Sequence, residues 1–271
     1  MNVACNSLVA RNPLARRVWQ AKRFEPSHIP GLGLDLDASY GVLNSIGPNV
    51  PATNGQSVRR WLDKSGNGRH YDQSTVTNQP TFNNAGDFAV LVGDGVDDLL
   101  LQTTGLDMIS GAPGLTCFFV CASAFAAPTT NQNIFYLETN ADAAWHLLRQ
   151  LSDGRYFFGG RRVFTASAQT ASGSSGSTAF RLVGTRVSFS TAHASMTVNG
   201  AQVAQISPFQ TPGNAQIAVS DSITIFGRDN SVALPFSGKI ARVLVWPRAL
   251  TASELLRVHR YLSATYGIAL A

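Results

Sequence analysis

The sequence is organised around a constrained loop at residues 61–70, which reads Trp-Leu-Asp-Lys-Ser-Gly-Asn-Gly-Arg-His. A Gln-Pro-Thr segment follows at 79–81, and a second turn, acidic and rich in glycine, follows at 92–98. Asn and Gly tolerate left-handed backbone, and an Asp side chain closes a turn by accepting backbone N–H groups. Both the loop and the second turn are therefore predicted to be constrained connections between β-strands.

Short apolar runs separated by turn residues make up most of the remaining chain, and this pattern is typical of a β-sandwich. The continuous apolar run at 115–125 predicts a central strand that is covered on both faces. The Asn-Gly pair at 199–200 predicts a hairpin turn. The runs at 88–92 and 99–102 flank the second turn in the manner of another hairpin. Residues 165–178 are rich in Ala, Ser, Thr and Gly, which predicts a long loop.

These segments resemble the laminin G-like (LamG-like) jelly roll of the concanavalin A-like lectin/glucanase superfamily, whose members often read W-x-D-x-S-G-N-G, then Q-P, then F-D-G-x-D-D. Position 93 departs from that pattern, because it is Gly where the family usually has an aromatic residue. The run at 236–246 is also similar to the family's terminal F-x-G-x-I-A-x-V-x-V-W element. The residues that match the first pattern are Trp61, Asp63, Ser65, Gly66, Asn67, Gly68, Gln79, Pro80, Asp94, Gly95, Asp97 and Asp98.

A single helix is predicted near the C-terminus. Thr251 and Glu254 have the spacing of a capping box, and Leu250 with Leu255 forms the matching hydrophobic staple. Gly267 is suited to end the helix in a left-handed conformation. Together with the resemblance, this predicts an all-β fold, a concanavalin A-like (LamG-like) jelly-roll β-sandwich over residues 29–271 with one capped C-terminal helix.

Residues 1–28 are predicted to be an extended basic arm outside the sandwich. They contain five basic residues and one acidic residue, Glu25. The whole chain has a net charge of +5, so the remaining residues are nearly neutral. A tryptophan on an exposed arm is costly to leave in water, so we expect the arm to dock on a neighbouring molecule. A solvated tail is the alternative. The side chains assigned to docking are Arg11, Arg16, Arg17, Trp19, Lys22 and Arg23.

The sequence lacks the residue patterns of an enzyme. Glycoside hydrolysis requires two carboxylates across a cleft, and the three glutamates of this chain, Glu25, Glu138 and Glu254, are scattered. No G-x-S-x-G motif, phosphate-binding loop or metal-type Cys/His spacing occurs. Cys117 and Cys121 lie in an apolar run and are predicted to be small core residues. We therefore predict a protein that is not an enzyme.

Two interpretations apply to the aspartates of the second turn. The resemblance implies a Ca²⁺ site at the rim of the sandwich, formed by Asp94, Asp97, Asp98 and Asp229, because hard cations prefer oxygen ligands in turns. In the alternative, Asp94 and Asp97 cap the turn and Asp98 pairs with a nearby arginine. The sequence favours this structural interpretation, so we predict that the protein needs no cofactor. If it binds one, Ca²⁺ is the candidate.

Carbohydrate binding requires exposed aromatic side chains beside hydrogen-bonding groups. Trp145, His146 and Tyr156 are the candidate glycan contacts. Trp61 and Trp246 match positions of the family pattern and are predicted to lie in the core.

Three classes of function remain. A non-enzymatic structural protein of a virus particle fits best, as a tailed-phage head decoration (cement) protein or a tail or fibre component docked through its basic arm. LamG-like modules are common among phage structural proteins, and the first residues contain no secretory signal. The expected partners are other virion proteins, and the protein is expected to be a homo-oligomer or to occur in many copies per particle. The particle would assemble in the host cytoplasm. Neither a membrane nor a specific nucleic acid is expected as a partner. The alternative is a carbohydrate-binding adhesion module that recognises host surface glycans, and a glycan-cleaving enzyme is disfavoured.

Overall fold

The computed structural model describes residues 24–103, 108–138, 145–163, 167–215, 222–228 and 234–271. Within these residues, two antiparallel β-sheets pack face to face and one α-helix lies outside them. The predicted all-β sandwich with a C-terminal helix is confirmed. None of the helices in the described residues is long and apolar enough to cross a membrane.

The described residues form eighteen strands and the helix α1 (Ala252–Tyr266), with short 3₁₀ turns at Pro26–His28 and Val76–Asn78. The strands are β1 (Leu34–Asp37), β2 (Val42–Ser45), β3 (Val50–Pro51), β4 (Arg60–Trp61), β5 (Tyr71–Asp72), β6 (Thr81–Asn83), β7 (Val90–Asp94), β8 (Leu100–Gln102), β9 (Gly114–Ser123), β10 (Gln132–Glu138), β11 (Trp145–Gln150), β12 (Arg155–Gly160), β13 (Gln169–Ser175), β14 (Arg181–Ser188), β15 (His193–Val198), β16 (Ala201–Ile206), β17 (Ser222–Ile225) and β18 (Ser237–Trp246).

The eight-stranded sheet has the order β16-β15-β14-β9-β18-β7-β6, and β1 pairs with β18 beside this path. Its central strand β9 is buried along its whole length. Cys117 and Phe119 of β9 face the ten-stranded sheet, whereas Phe118 and Val120 lie in the layer beneath α1. The continuous apolar run is therefore explained by burial on both faces, and the predictions of a central strand and of a core position for Cys117 are confirmed.

The ten-stranded sheet has the order β13-β12-β11-β10-β17-β8-β5-β4-β2-β3. Trp61 of β4 and Tyr71 of β5 point into the sandwich and are almost completely buried. Trp246 is also buried, so the core positions predicted for both tryptophans are confirmed.

Two of the predicted local elements are wrong. β7 and β8 do not form a hairpin, because β7 pairs with β18 in one sheet and β8 pairs with β17 in the other. The turn between them carries the chain across the sandwich, which lets Leu91 and Leu100 enter the same core from opposite sheets.

The predicted loop at 165–178 contains the edge strand β13, which pairs with β12. Its small residues reflect a close approach of neighbouring backbone: a Cβ atom added at Gly173 would lie 2.3 Å from the Val203 carbonyl oxygen. Composition alone therefore indicated a loop where the fold required a strand with little side-chain volume.

Helix α1 forms as the sequence predicts. Thr251 and Glu254 make the reciprocal capping box, and Gly267 ends the helix with φ of 65°. Val258 and Leu262 pack with buried side chains of β9 and β18. The helix therefore covers the outer face of the eight-stranded sheet and leaves the outer face of the ten-stranded sheet uncovered by helix within the described residues.

A buried ion-pair network lies beneath α1. Arg242 donates from Nε and Nη2 to the two carboxylate oxygens of Asp35, each at 2.8 Å, and from Nη1 to Asp37 Oδ2 at 2.7 Å. Lys64 Nζ lies 3.0 Å from the same Asp37 oxygen. Burial raises the pKa of Asp35, whereas the pKa of Asp37 is lowered because Arg242, Ser39 and Lys64 together outweigh its burial.

The loop at 61–70 closes over β1. Asp63 Oδ1 accepts the backbone N–H of Asp35 at 3.0 Å, and Trp61 Nε1 donates to the Asp37 carbonyl at 3.1 Å. Asn67 Nδ2 and Arg69 Nη1 donate to the Gly33 carbonyl at 3.1 and 2.9 Å. The motif that carries the family resemblance is therefore a structural clasp that fixes the first strand of the sandwich.

The last residues of the predicted arm pack against the domain. Phe24 makes an edge contact with Tyr261, and the Arg257 guanidinium lies 4.5 Å from the centre of the Phe24 ring. Tyr261 also donates its hydroxyl to Glu25 Oε2 at 2.8 Å. The arm side chains predicted to dock all lie at residues 1–23, outside the described residues, so their role stays a prediction.

The glycine at position 93 has a structural cause. A Cβ atom at this position would lie 2.4 Å from Phe226 Cδ1 and 2.5 Å from the Phe236 carbonyl oxygen. The Phe226 and Phe236 rings stack with centroids 6.1 Å apart. The Phe226 ring therefore fills space that a side chain at position 93 would need.

We expect Gly93→Ala to destabilise the protein by about 1–3 kcal/mol, because the added methyl overpacks the core against Phe226. In a Phe226→Ala background, where the ring is gone, Gly93→Ala should cost less, and the cost that remains comes from the Phe236 carbonyl oxygen, which would lie 2.5 Å from the added methyl. Gly86→Ala is the control, since a Cβ atom there meets nothing within 4 Å. Urea unfolding of the double-mutant cycle measures both costs, and equal costs in the two backgrounds would contradict this packing account.

We expect Arg242→Met to destabilise the protein by roughly 3–5 kcal/mol near neutral pH, because it leaves the buried Asp35 without a cation and Asp37 with Lys64 alone. The loss should shrink in acid, where both carboxylates are protonated, and in the triple variant that also carries Asp35→Asn and Asp37→Asn. Arg155→Met removes an exposed arginine and should change little. A loss in urea unfolding that is independent of pH would argue against this role for Arg242.

Candidate functional site

A row of facing residues crosses the outer face of the ten-stranded sheet. Strand pairing places Arg60 opposite Asp72, Asp72 opposite Leu101, Leu101 opposite Thr224, and Thr224 opposite Tyr136. Directly opposed residues of antiparallel strands share one face of the sheet. The neighbours of these residues along their strands, such as Trp61 and Leu100, lie in the core, so the row lies on the opposite, outer face.

A groove of about 590 Å³ opens at the β4, β5 and β8 end of this row. Most of its lining side chains are hydroxyls, amides or charged groups, and Leu99 and Leu101 contribute apolar surface. The lining residues are Arg59, Arg60, Gly68, His70, Asp72, Gln73, Ser74, Thr75, Asn78, Leu99, Leu101, Gln102 and Thr103.

The carboxylate of Asp72 in the groove forms an ion pair with Arg60. Arg60 donates from Nε to Asp72 Oδ1 at 2.5 Å and from Nη2 to Asp72 Oδ2 at 2.6 Å. These hydrogen bonds to Asp72 raise the pKa of Arg60. Asp72 is the one acidic side chain among the described lining residues. The described lining residues therefore do not supply the pair of opposed carboxylates that glycoside hydrolysis needs.

The loop at 61–70 also orients a donor in the groove. His70 Nδ1 accepts the backbone N–H of Asp63 at 3.0 Å. A neutral imidazole that accepts at Nδ1 carries its proton on Nε2. His70 is therefore held as a hydrogen-bond donor through Nε2.

The segment next to His70 is fixed by the amide of Gln73. Gln73 Nε2 donates to the Leu99 carbonyl at 3.0 Å, and Gln73 Oε1 accepts the Thr75 backbone N–H at 3.0 Å. Asn78 accepts the Leu99 backbone N–H through its own carbonyl at 3.0 Å. The lining loops are thus tied to β8, which gives the groove a defined shape.

Two arginines stack on aromatic rings further along the outer face. The Arg228 guanidinium lies 5.3 Å from the Tyr136 ring centre, and that of Arg149 lies 5.6 Å from the Phe157 ring centre. Asn133 Oδ1 accepts the Arg149 Nε–H at 2.7 Å. Burial lowers the pKa of Arg149, and the positive charge of Arg228 lowers it further. This part of the face therefore carries two cation–π pairs, in one of which the Tyr136 ring is buried.

The predicted glycan contacts have different outcomes. Trp145 and His146 lie on β11, where the backbone of His146 pairs with Tyr136 of the outer-face row, but their side chains lie outside the described part of the structure. Tyr156 is completely buried in the core. The prediction for Tyr156 is therefore wrong, because a side chain without exposed surface cannot contact a glycan.

Sequence reasoning missed the groove itself. Its residues come from segments at 59–60, 68–78 and 99–103, which the fold brings together. The one local feature of the sequence that could have indicated the groove was the position of His70 at the end of the loop at 61–70.

The aspartates of the second turn form a compact cluster. One carboxylate oxygen from each of Asp94, Asp97 and Asp98 lies within 4.8 Å of the others. Asp94 Oδ1 accepts the Val96 backbone N–H at 2.8 Å, and Asp98 Oδ2 accepts the Asp94 backbone N–H at 2.8 Å. Asp94 caps the turn, as the structural interpretation predicts, but among the described residues the second capping carboxylate is Asp98 and not Asp97.

The arginine partner predicted for Asp98 is wrong, because the structure gives this carboxylate a backbone N–H and no arginine within hydrogen-bonding distance among the described residues. Asp94, Asp97 and Asp98 offer the oxygen donors that a hard cation prefers. Asp229 lies outside the described residues, and Ca²⁺ binding by the four aspartates stays a prediction.

Taken together, the fold and the groove define a β-sandwich protein with a polar groove on the outer face of one sheet. The chain belongs to the concanavalin A-like lectin/glucanases superfamily, because the Laminin_G_3 family model matches residues 120–256, about half of the sequence. This family membership confirms the resemblance, while the phage setting stays a prediction.

Solved structures with low sequence identity share the fold. The binding domain of botulinum neurotoxin serotype G aligns with a TM-score of 0.60 at 13% identity, over 86% of this chain and 51% of that chain. The binding domain of serotype C1 aligns with a TM-score of 0.59 at 12% identity, over 88% and 53%.

The binding domain of Paraclostridial Mosquitocidal Protein 1 aligns with a TM-score of 0.60 at 14% identity, over 88% of this chain and 53% of that chain. The chain thus spans about half the length of these three binding domains, and at such identities the likeness concerns the fold. A search of the curated proteins found no match.

The buried carboxylate of the second turn predicts a pH effect on stability. Burial, together with the charges of Asp94 and Asp97, raises the pKa of Asp98 to about 6. The folded protein then binds a proton more tightly than the unfolded chain, so stability is lost as the pH rises through about 6.

We expect Asp98→Asn, which keeps the acceptor for the Asp94 N–H but cannot ionise, to remove this loss. Relative to the variant, the wild-type protein should lose about 1–2 kcal/mol between about pH 4 and pH 7. Urea unfolding across that range provides the measurement, with Asp87→Asn as the exposed control. Parallel profiles for wild type and Asp98→Asn would refute the raised pKa.

Proposed function

We propose that the protein is a non-catalytic carbohydrate-binding module that holds a glycan in the groove lined by β4, β5 and β8. The observation that carries this proposal is the groove itself, which has a volume of about 590 Å³ and a mostly polar lining and lies on the outer face of the ten-stranded sheet. A site of this size accommodates a short oligosaccharide.

The chemistry of the lining suits a sugar. A pyranose presents hydroxyls around its rim and C–H groups on its faces. His70 Nε2 is oriented as a donor, and the side chains of Thr75, Asn78 and Thr103 offer further hydrogen-bonding groups. Leu101 offers apolar surface to the C–H groups.

The comparisons support this proposal at the level of the fold. Botulinum neurotoxin type C, one of the proteins with this fold, is described as depending for cell entry on interaction with two ganglioside molecules. The binding domain of botulinum neurotoxin DC was solved in complex with SialylT. Both are larger than this chain, so the location of a glycan site here rests on the groove.

The place of such a module on a virus particle stays a prediction, as do its virion partners and its localisation there. What supports it is the basic run of residues 1–23, which precedes the contacts of Phe24 and Glu25 with helix α1. These contacts lie on the outer side of the eight-stranded sheet, away from the groove. A module anchored through that side would leave the groove free to bind a glycan.

We expect the protein to bind a defined set of oligosaccharides on a glycan array, and Asn78→Ala to weaken binding of the strongest one. Loss of hydrogen bonds from one amide should reduce the affinity about tenfold in isothermal titration calorimetry. Asn84→Ala is the matched control, because Asn84 is exposed outside the groove. Absence of any glycan ligand, or equal affinity of Asn78→Ala and wild type, would contradict the proposed site.

A further inference from the structure

Arg59 is an unusual cation at the edge of the groove. Its backbone N–H donates to the Leu43 carbonyl at 2.8 Å, and its carbonyl accepts the Gln73 N–H at 3.0 Å. These bonds fix its position beside β4. Its guanidinium nitrogen Nη1 is buried and has no hydrogen-bond partner among the described residues. A buried donor without an acceptor costs roughly 1–3 kcal/mol, so the protein leaves this guanidinium incompletely satisfied, while the half-buried side chain as a whole lines the groove.

Arg59 also lies between two grooves. A second groove of about 460 Å³ adjoins the first, and Arg59 and Ser74 line both of them. No carboxylate occurs among the described lining residues of the second groove, and the carboxylate of Asp72 in the first is bound to Arg60. The charge of Arg59 is therefore not neutralised by the side chains that line either groove.

We propose that Arg59 is the specificity-determining residue of this surface and selects glycans that carry a carboxylate, supplied by a sialic acid or a uronic acid. The carboxylate lies against Arg59, and the neutral part of the sugar chain occupies the groove beside it. This inference rests on the proposed function and adds the class of glycan to it. A guanidinium matches a carboxylate through two parallel charge-assisted hydrogen bonds, which are about twice as strong as neutral ones.

The test compares matched acidic and neutral probes by calorimetry on the full chain. Sialyllactose is paired with lactose, and a hyaluronan tetrasaccharide is paired with chitotetraose. The wild-type protein should bind the acidic member of at least one pair about tenfold more tightly or better, the gain expected from a charge-assisted contact. The pair that shows this preference identifies the source of the carboxylate.

Arg59→Gln removes the charge and keeps hydrogen-bonding groups, so it should lower the affinity for the acidic sugar towards that for its neutral partner and abolish the preference. Arg59→Lys, which keeps the charge without the planar fork, should retain part of the preference. Arg257→Gln is the matched control, because it removes the same charge from α1 on the other side of the sandwich and should leave the preference intact. Circular dichroism verifies the fold of each variant.

A second measurement needs no variant. The preference of the wild-type protein should fall as NaCl rises from about 50 mM to about 500 mM, because salt screens the attraction of the carboxylate to Arg59. A preference that is insensitive to salt, or one that persists in Arg59→Gln, overturns the inference. Equal binding of acidic and neutral sugars also overturns it but leaves carbohydrate binding intact, whereas absence of binding to every glycan overturns both proposals.

Discussion

The ion pairs of Arg242 with Asp35 and Asp37 hold together parts of the protein that are distant in sequence. They join β18 to β1 at the centre of the eight-stranded sheet, beneath α1. The backbone of Asp35 then donates to Asp63, whose own N–H donates to His70 in the groove. Burying such charges is costly unless each is paired, so Asp35 and Asp37 of β1 are stable in the core only with Arg242 of β18 in place. The orientation of a groove donor thus depends on a network on the other side of the sandwich.

The two outer faces of the sandwich have different properties. The face of the eight-stranded sheet is covered by α1, and the residues that follow the basic run, beginning at Phe24, pack onto that helix. The face of the ten-stranded sheet carries the groove and the stacked pairs of Arg149 with Phe157 and Arg228 with Tyr136. Anchoring through one face and recognition through the other are therefore geometrically compatible.

Features that depend on neighbouring residues were predictable from the sequence. The capping box of Thr251 and Glu254, the Asn199-Gly200 turn and the buried run of β9 follow from local chemistry and from periodicity. The family motif predicted the sandwich. It did not predict the role of Gly93, because the ring that fills the space belongs to Phe226, more than a hundred residues later in the chain.

Features that depend on how distant segments meet were not predictable in this way. Alternation along β12 separates Tyr156 from Phe157 but does not say which of them faces the core, and the structure buries Tyr156. The groove likewise joins β4, β5 and β8, which are adjacent only in the folded sheet. Arg59 carried no sequence signal, because its significance comes from its place between two grooves that the fold brings together.

The most direct test of the central claim is a crystal structure of the protein with a bound oligosaccharide. The account predicts sugar density in the groove, within hydrogen-bonding distance of His70 and Asn78. Density at a different surface, such as the Asp94 turn or the α1 face, would show that the fold binds glycans through another site and would contradict the assignment of the groove.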